Sequence, residues 1–233
     1  MSAYIISDIH GCAKTLRSLI ECRLRISTND QLYFLGDYID RGPDSAGVVD
    51  YILELKDSGF TIDCLMGNHE HMLLNSVLSK SNMDLWMVNG GMATLLSYGI
   101  QSSHGLNIFT AIPAAHLEFF KSLNPYIFVS NRFLLVHGGI NHRSKKPLAD
   151  IASMLWSRTS ASSIPDDFLP GYTIIHGHTP EPIDTIIENV QSRSSRLLGL
   201  DAGCVFKGFF PGTGYLTALN LDKWELHFVK CID

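Results

Sequence analysis

Residues 4–78 alternate between short apolar runs and segments with helical periodicity. Leu16, Leu19 and Ile20, for example, recur at the spacing that places side chains on one helix face. The pattern predicts strands at 4–7, 31–35 and 60–66, and helices at 13–25, after 43–45 and from 68 to 78. Because parallel strands need a crossover connection, this β-α-β-α-β-α order implies a sheet with parallel strands and right-handed crossovers.

The remainder of the chain is richer in strand signals. Residues 80–130 break the alternation and predict short helices, one of them at 113–123. Further strands are predicted at 127–129, 133–136, 173–175, 197–200, 215–219 and 226–229, and a loop at 157–171. Because no repeat or linker-like stretch interrupts the chain, we expect one α/β domain over residues 1–233, with two packed β-sheets and helices outside.

Composition narrows the class of protein. Hydrophobic residues make up 45% of the chain and charged residues 18%, which is enough apolar material for a sizeable core. The net charge of −5 argues against general nucleic-acid binding, which needs basic surface. The five cysteines contain no C-x-x-C pair and fit reduced thiols in a cytoplasmic protein. We also expect no signal peptide and no membrane-spanning segment.

Short polar clusters follow several of the predicted strands. They are Asp8-Ile-His10-Gly11, Gly36-Asp37-Tyr-Ile-Asp40-Arg41-Gly42, Gly67-Asn68-His69-Glu70, His137-Gly-Gly139 and Gly177-His178-Thr179. Asp, Asn and His hold hard or borderline divalent metals through oxygen and nitrogen. Strand-end clusters converge on one rim in open α/β folds, so the sequence predicts a hydrolase with two metal ions.

The second cluster is the most specific. Five fixed positions in this pattern would arise by chance on the order of once in ten thousand chains of this size. The two oxygens of Asp37 can bridge two ions, whereas Asp40 lies too far along the turn to share them readily and is available for another role. Arg41 offers the planar fork that binds phosphate or carboxylate.

The histidines fall into three groups. If Asn68 faces a metal, His69 faces elsewhere and can meet a bound substrate. His137 and His178 have the setting of strand-end ligands; His176 would share a strand face with His178 and is the less favoured candidate of the two. For the other histidines a surface or core position is expected, and Glu70 is expected to be structural because a carboxylate is favoured near a helix N-terminus.

Together, in this order, the five motifs resemble the phosphoprotein phosphatase group of the calcineurin-like metallophosphoesterases, and the short length is similar to its bacterial and phage branch. The resemblance implies a four-layer αββα sandwich of two mixed sheets and a dinuclear centre, usually of Mn²⁺. Asp8 and His10 would hold one ion and Asp37 would bridge. Asn68, His137 and His178 would hold the other ion.

The resemblance also implies catalytic roles. His69 would be the general acid for the leaving group, supported by Asp40, and Arg41 would bind phosphate. A second phosphate-binding arginine is expected, with Arg158 as the candidate. A hydroxide bridging the two ions would attack phosphorus, since paired cations lower the pKa of a shared water. The expected substrates are phosphorylated proteins, on serine, threonine or also tyrosine, or small phosphoesters.

Three alternatives stay open. The nearest is symmetrical diadenosine tetraphosphate hydrolysis, although enzymes of that type typically carry another residue where Asp40 stands. A phosphoanhydride has a better leaving group and needs less help from an acid, so Asp40 favours phosphomonoesters. A non-catalytic relative would be expected to have lost a ligand or the acid, and none is missing here. A nuclease would be expected to carry a basic, aromatic-rich groove.

Overall fold

The computed structural model describes residues 2–101, 108–159, 164–193 and 195–233. Nine strands lie in these ranges: β1 Ala3–Ile6, β2 Gln31–Phe34, β3 Thr61–Cys64, β4 Tyr126–Val129, β5 Phe133–Val136, β6 Thr173–His176, β7 Leu197–Gly199, β8 Tyr215–Asn220 and β9 Glu225–Lys230. All nine overlap strands predicted from the sequence. The predicted loop at 157–171 is irregular where it is described, and residues 160–163 lie outside the described ranges, as does His104.

The strands form two mixed sheets. The first has the order β3-β2-β1-β8-β9, in which β1, β2 and β3 run parallel and β8 and β9 pair antiparallel. The second has the order β4-β5-β6-β7, in which only the β4–β5 pair is antiparallel. The structure therefore has both the parallel strands predicted for the first part of the chain and the further strands predicted for the rest.

Within the described part of the chain, eight α-helices accompany the sheets: α1 Ala13–Arg17, α2 Ser45–Asp57, α3 Asn68–Asn75, α4 Lys80–Trp86, α5 Met92–Ser97, α6 Ala114–Lys121, α7 Ile151–Trp156 and α8 Ile183–Ser192. A π-helical segment, Ser18–Leu24, continues α1, and another, Met87–Gly91, joins α4 to α5. Helices α7 and α8 were not predicted from the sequence. The apolar residues of α8 do have helical spacing, with Ile183, Ile186 and Val190 buried.

Successive side chains of a strand lie on opposite faces of the sheet and therefore pack in different cores. Ile6 and Phe34 lie in the core beneath α1, α2 and α3, whereas Ile5 lies between the sheets with Leu135 and Ile175. A third, smaller core lies on the other face of the second sheet, beneath α7. This alternation, required by the pleat of a strand, gives the αββα order of layers, and the outer layer over the second sheet is thin.

The parallel strands direct the polar clusters to one edge of the sandwich. Asp8 follows β1, Asp37 follows β2, and Asn68 begins α3 just beyond β3. His137 follows β5 and His178 follows β6 in the second sheet. The two sheets therefore contribute to one site. No helix in the described ranges is long and apolar enough to cross a bilayer.

We predict that Leu135→Ala lowers the free energy of unfolding by about 2–5 kcal/mol, because it opens a cavity between the sheets. Leu135 is fully buried, whereas Leu78 is 71% exposed, so Leu78→Ala is the matched control. Urea denaturation of both variants measures the difference. Equal losses would contradict the position of the core between the two sheets.

Candidate metal and phosphate site

The polar loops approach one another so closely that side chains are excluded at two glycines. A Cβ atom at Gly67 would overlap the backbone and carboxylate of Asp37, and a Cβ atom at Gly177 would overlap the Asp8 carboxylate. His10, Asp37 and His178 all adopt positive φ angles, of 47°, 51° and 66°. Such backbone is uncommon for non-glycine residues and is retained where surrounding structure fixes it.

Asp37 lies at the centre of the site. Its Oδ2 is 3.5 Å from His10 Nε2, 3.4 Å from His137 Nε2 and 3.9 Å from His69 Nε2. Its Oδ1 accepts a hydrogen bond from the His69 backbone N–H at 3.1 Å. One buried carboxylate thus faces three imidazoles, the arrangement expected of a residue shared by two ions.

Backbone carbonyls orient two of the imidazoles. His10 Nδ1 lies 2.9 Å from the Ile39 carbonyl oxygen, and His137 Nδ1 lies 2.8 Å from that of Leu35. Each Nδ1 therefore carries the proton that it donates, so Nε2 is the ring nitrogen that could bind an ion beside Asp37. Fixing the tautomer through the second ring nitrogen is the usual support for a metal-binding histidine.

Asn68 joins the remaining predicted ligands. Its Oδ1 is 2.9 Å from His137 Nε2 and 2.9 Å from His178 Nδ1. The backbone N–H of His178 donates to Asp8 Oδ2 at 2.9 Å, which connects the loops after β6 and β1. All six predicted metal ligands are therefore in one site. His176 Nδ1 instead pairs with the Gly177 carbonyl, away from Asp37.

The donor set fits two divalent cations. Two groups of side chains, His10–Asp37–His69 and Asp37–His137–His178, each bring their donor atoms within 4.8 Å of one another, and both contain Asp37. Asp8 Oδ1 is buried without a hydrogen-bond partner. Burial, followed by the charge of Asp201, raises the pKa of the Asp8 carboxyl well above its usual range. A cation bound there would give Asp8 Oδ1 a partner and would favour the ionised form of the carboxyl.

Charge is unevenly distributed within the site. Burial opposes ionisation of Asp37, but the facing His137 and His69 hold the pKa of its carboxyl well below the usual range. Although burial disfavours the charged His137 ring, Asp37 raises its pKa to about 10. Burial and then His137 lower the pKa of His178 to about 3. The centre of the site is therefore an ionised carboxylate that attracts positive charge.

Asp201 was not predicted. It is buried just after β7, accepts a hydrogen bond from the Gly203 N–H at 2.8 Å and raises the pKa of Asp8 through its charge. Burial raises its own pKa to about 6. The signal was present in the sequence, because Asp201 directly follows the apolar run at 197–200, as several predicted ligands follow a strand.

His69 and Asp40 form a fully buried pair. His69 Nδ1 lies 2.6 Å from Asp40 Oδ2. Asp40 also accepts hydrogen bonds from Trp86 Nε1 at 3.0 and 2.9 Å and from Thr94 Oγ1 at 2.6 Å. Trp86 and Thr94 lie on α4 and α5, where the sequence predicted only short helices and no contact with Asp40. They fix the carboxylate that orients His69.

Glu70 has a larger structural role than its expected place at the start of α3. Its Oε1 accepts hydrogen bonds from the backbone N–H groups of Tyr38 and Ile39 at 2.8 and 3.3 Å. Its Oε2 accepts from those of Asp37 and Gly67, both at 3.0 Å. The carboxylate therefore fixes the loop that carries Asp37.

Both predicted phosphate-binding arginines line one cavity of about 460 Å³ beside Asp37 and His178. Arg41 directs Nη1 to within 2.6 Å of His10 Nε2, and its backbone N–H donates to the Gly90 carbonyl at 3.3 Å. The rest of the cavity is largely apolar and is lined by Pro180, Pro182, Phe206, Phe210, Pro211 and Thr213. The cavity suits a phosphate at its polar end and an apolar group beside it.

Comparison with known proteins agrees with this geometry. A family model for calcineurin-like phosphoesterases matches residues 1–206, so the chain belongs to the calcineurin-like phosphoesterase family. Members of this family are hydrolases of phosphate esters. The fold also resembles that of a protein serine/threonine phosphatase from Saccharomyces cerevisiae, with a TM-score of 0.63, 14% identity and coverage of 100% of this chain and 81% of that one.

Two kinds of enzyme are similar in sequence. A symmetrical bis(5'-nucleosyl)-tetraphosphatase from Buchnera aphidicola is 43% identical over 74 residues, which are 32% of this chain and 26% of the relative. Serine/threonine-protein phosphatase 1 from Salmonella typhimurium is 43% identical over 89 residues, 38% of each chain. The matched stretches span less than half the length of these relatives, so they support the phosphatase group without fixing the substrate.

We predict that Trp86→Phe lowers kcat roughly tenfold or more, because a hydrogen bond to a charged group contributes about 1.5–3 kcal/mol. The ring would still pack, so the loss should be greater for alkyl phosphates, which need the acid, than for activated aryl phosphates. Trp224→Phe, which removes a hydrogen bond to the Val190 carbonyl far from the site, is the control. A Trp86→Phe enzyme with reduced Tm and unchanged kcat would contradict this positioning role.

Proposed function

We propose that the chain is a metal-dependent phosphomonoesterase that acts on phosphorylated proteins, at serine or threonine and also at tyrosine. The observation that carries the proposal is the buried His69–Asp40 pair, 2.6 Å apart and held by Trp86 and Thr94. A poor leaving group, such as an alkoxide, needs a proton as the ester bond breaks. A buried imidazole with a carboxylate on its far nitrogen is suited to supply that proton.

His69 has the free nitrogen that an acid requires. Its Nδ1 is engaged by Asp40, and its Nε2 is buried with no hydrogen-bond partner, 3.9 Å from Asp37 Oδ2. Asp40 stabilises positive charge on the ring, so Nε2 can carry a proton and donate it to the leaving oxygen. Arg41 and Arg158 would hold the remaining phosphate oxygens from the cavity side.

Two divalent ions, which we propose to be Mn²⁺, would activate a water for attack on phosphorus and neutralise phosphate charge when bound. We propose that Asp8 and His10 hold one ion, that Asp37 bridges, and that Asn68, His137 and His178 hold the other. The proposal of a cytoplasmic location is supported by the free state of all five cysteines. The whole chain is proposed to act as one domain.

Dinucleoside polyphosphate hydrolysis is the second candidate. It is favoured by the 43% identity to the symmetrical tetraphosphatase from Buchnera aphidicola. The apolar wall formed by Phe206 and Phe210 could accept a base as well as an aromatic amino-acid side chain. The buried acid pair weighs against it, because an anhydride leaving group is already stable without a proton.

Initial rates of the Mn²⁺-loaded protein on phosphoserine, phosphothreonine and phosphotyrosine peptides and on diadenosine tetraphosphate separate the candidates. We predict rapid phosphate release from peptides and little cleavage of the dinucleotide. The reverse pattern would overturn the phosphoprotein substrate and support nucleotide hydrolysis. With metal bound, absence both of phosphate release from the peptides and of ADP formation from the dinucleotide would reject both.

We predict that His69→Asn keeps both metal ions and loses roughly 10²–10⁴-fold in kcat on alkyl phosphates, with a smaller loss on activated aryl phosphates. Asp37→Asn is the contrasting variant, since removal of the shared carboxylate should release metal together with nearly all turnover. Metal content by mass spectrometry and initial rates distinguish the two. Because His69 also lies within a group able to bind an ion, loss of metal from His69→Asn would make it a ligand rather than the acid.

A further inference from the structure

Three cysteines outside the proposed catalytic centre meet in the core. Cys12, Cys204 and Cys231 are 1%, 2% and 4% exposed, and their sulfur atoms lie within 4.8 Å of one another. Cys12 Sγ is 3.9 Å from Cys231 Sγ. The two other cysteines, Cys22 and Cys64, are separate from this group, which we call the three-thiol cluster. The proposed function gives it no role.

The cluster is held by three separate parts of the fold. Cys12 lies between the loop after β1 and α1, and Cys204 begins the 3₁₀ turn Cys204–Phe206. Cys231 follows β9, where its backbone N–H donates to the Gly214 carbonyl at 2.8 Å. The thiols are therefore brought together by tertiary structure, as preformed metal sites are.

Residues 231–233 are anchored against α1. The Asp233 carboxylate accepts hydrogen bonds from the backbone N–H groups of Lys14 and Thr15 at 3.1 and 2.9 Å and from Thr15 Oγ1 at 2.6 Å. Thr15 Oγ1 in turn accepts the Ile232 N–H at 3.0 Å. These contacts fix Cys231 beside Cys12.

The sulfur spacing matches that of thiolates sharing one ion. With metal–sulfur bonds of about 2.3 Å, two sulfurs on a common ion lie roughly 3.8–4.0 Å apart. The 3.9 Å between Cys12 and Cys231 falls in that range. A disulfide would need the same sulfurs at about 2.05 Å, so Cys12 and Cys231 are unbonded thiols, and the third sulfur of the cluster lies within 4.8 Å of both.

We propose that the three-thiol cluster binds one soft d¹⁰ cation, with Cu(I) the best fit. Thiolates select soft ions, whereas the Asp, Asn and His donors of the catalytic centre select harder ones. Structural zinc sites are almost always four-coordinate, and among the described residues the cluster offers only three side-chain donors of the usual kinds. Cu(I) is satisfied by two or three thiolates, and each sulfur that binds releases one proton.

The test is an anaerobic titration of the reduced, Mn²⁺-loaded protein with Cu(I) in competition with a coloured Cu(I) chelator. We expect one equivalent to bind with a sulfur-to-metal charge-transfer band in the ultraviolet and without release of Mn²⁺. Cys231→Ser and, as a second variant, Cys204→Ser should lose this equivalent. Cys64→Ser, which removes a buried thiol elsewhere, should keep it, and circular dichroism checks that each variant is folded.

Three results would overturn the proposal. They are absence of the charge-transfer band in the wild-type protein, an unchanged equivalent in both folded cluster variants, and Cu(I) binding that simply expels Mn²⁺. The last would place the copper on the histidines of the catalytic centre. None of these readouts depends on turnover, so the outcome is independent of which phosphoester the enzyme hydrolyses.

Discussion

The site depends on one buried carboxylate that touches no substrate. Glu70 accepts hydrogen bonds from four backbone N–H groups, those of Asp37, Tyr38, Ile39 and Gly67. Three of these groups belong to the loop after β2, in which Asp37 has a positive φ angle, and the fourth belongs to the turn that begins α3; strands and helices do not satisfy such groups. Burial raises the pKa of Glu70 to about 7, so the protein bears a desolvation cost to keep this arrangement. Without it, Asp37 would have no fixed position between the imidazoles.

A second set of hydrogen bonds supports His69 and Asp40, the proposed acid and its partner. Asp40 is enclosed by an indole N–H, a hydroxyl and an imidazole, which leaves it paired on every side despite full burial. A buried carboxylate that lost one of these partners would retain its desolvation cost, so the network acts as a unit. Helices α4 and α5, which carry Trp86 and Thr94, therefore hold the carboxylate that orients His69, the proposed proton donor.

The proposed ligand positions were predictable because they lie near strand ends, where an apolar run gives way to Asp, Asn or His. That Asn68, His137 and His178 lie near one another was predictable, because each follows a strand of the sandwich. The distances between them were not. Trp86 and Thr94 were not predicted, since their roles depend on how α4 and α5 pack against the site after folding. Asp201 was missed although it follows an apolar run. Helix α8 was missed although its spacing was readable, because strand signals dominate on either side of it.

Pairing in the first sheet makes its assembly strongly non-local. Strand β1 lies between β2 and β8, and Tyr4 is in register with Asn220. Contacts between residues so distant in sequence require closure of a long loop, which slows folding. While the protein is being synthesised, the edge of β1 that pairs with β8 stays unpaired until residues 215–220 have been made. An incomplete chain therefore exposes an unpaired apolar strand, and this interval is when the protein is most prone to aggregate.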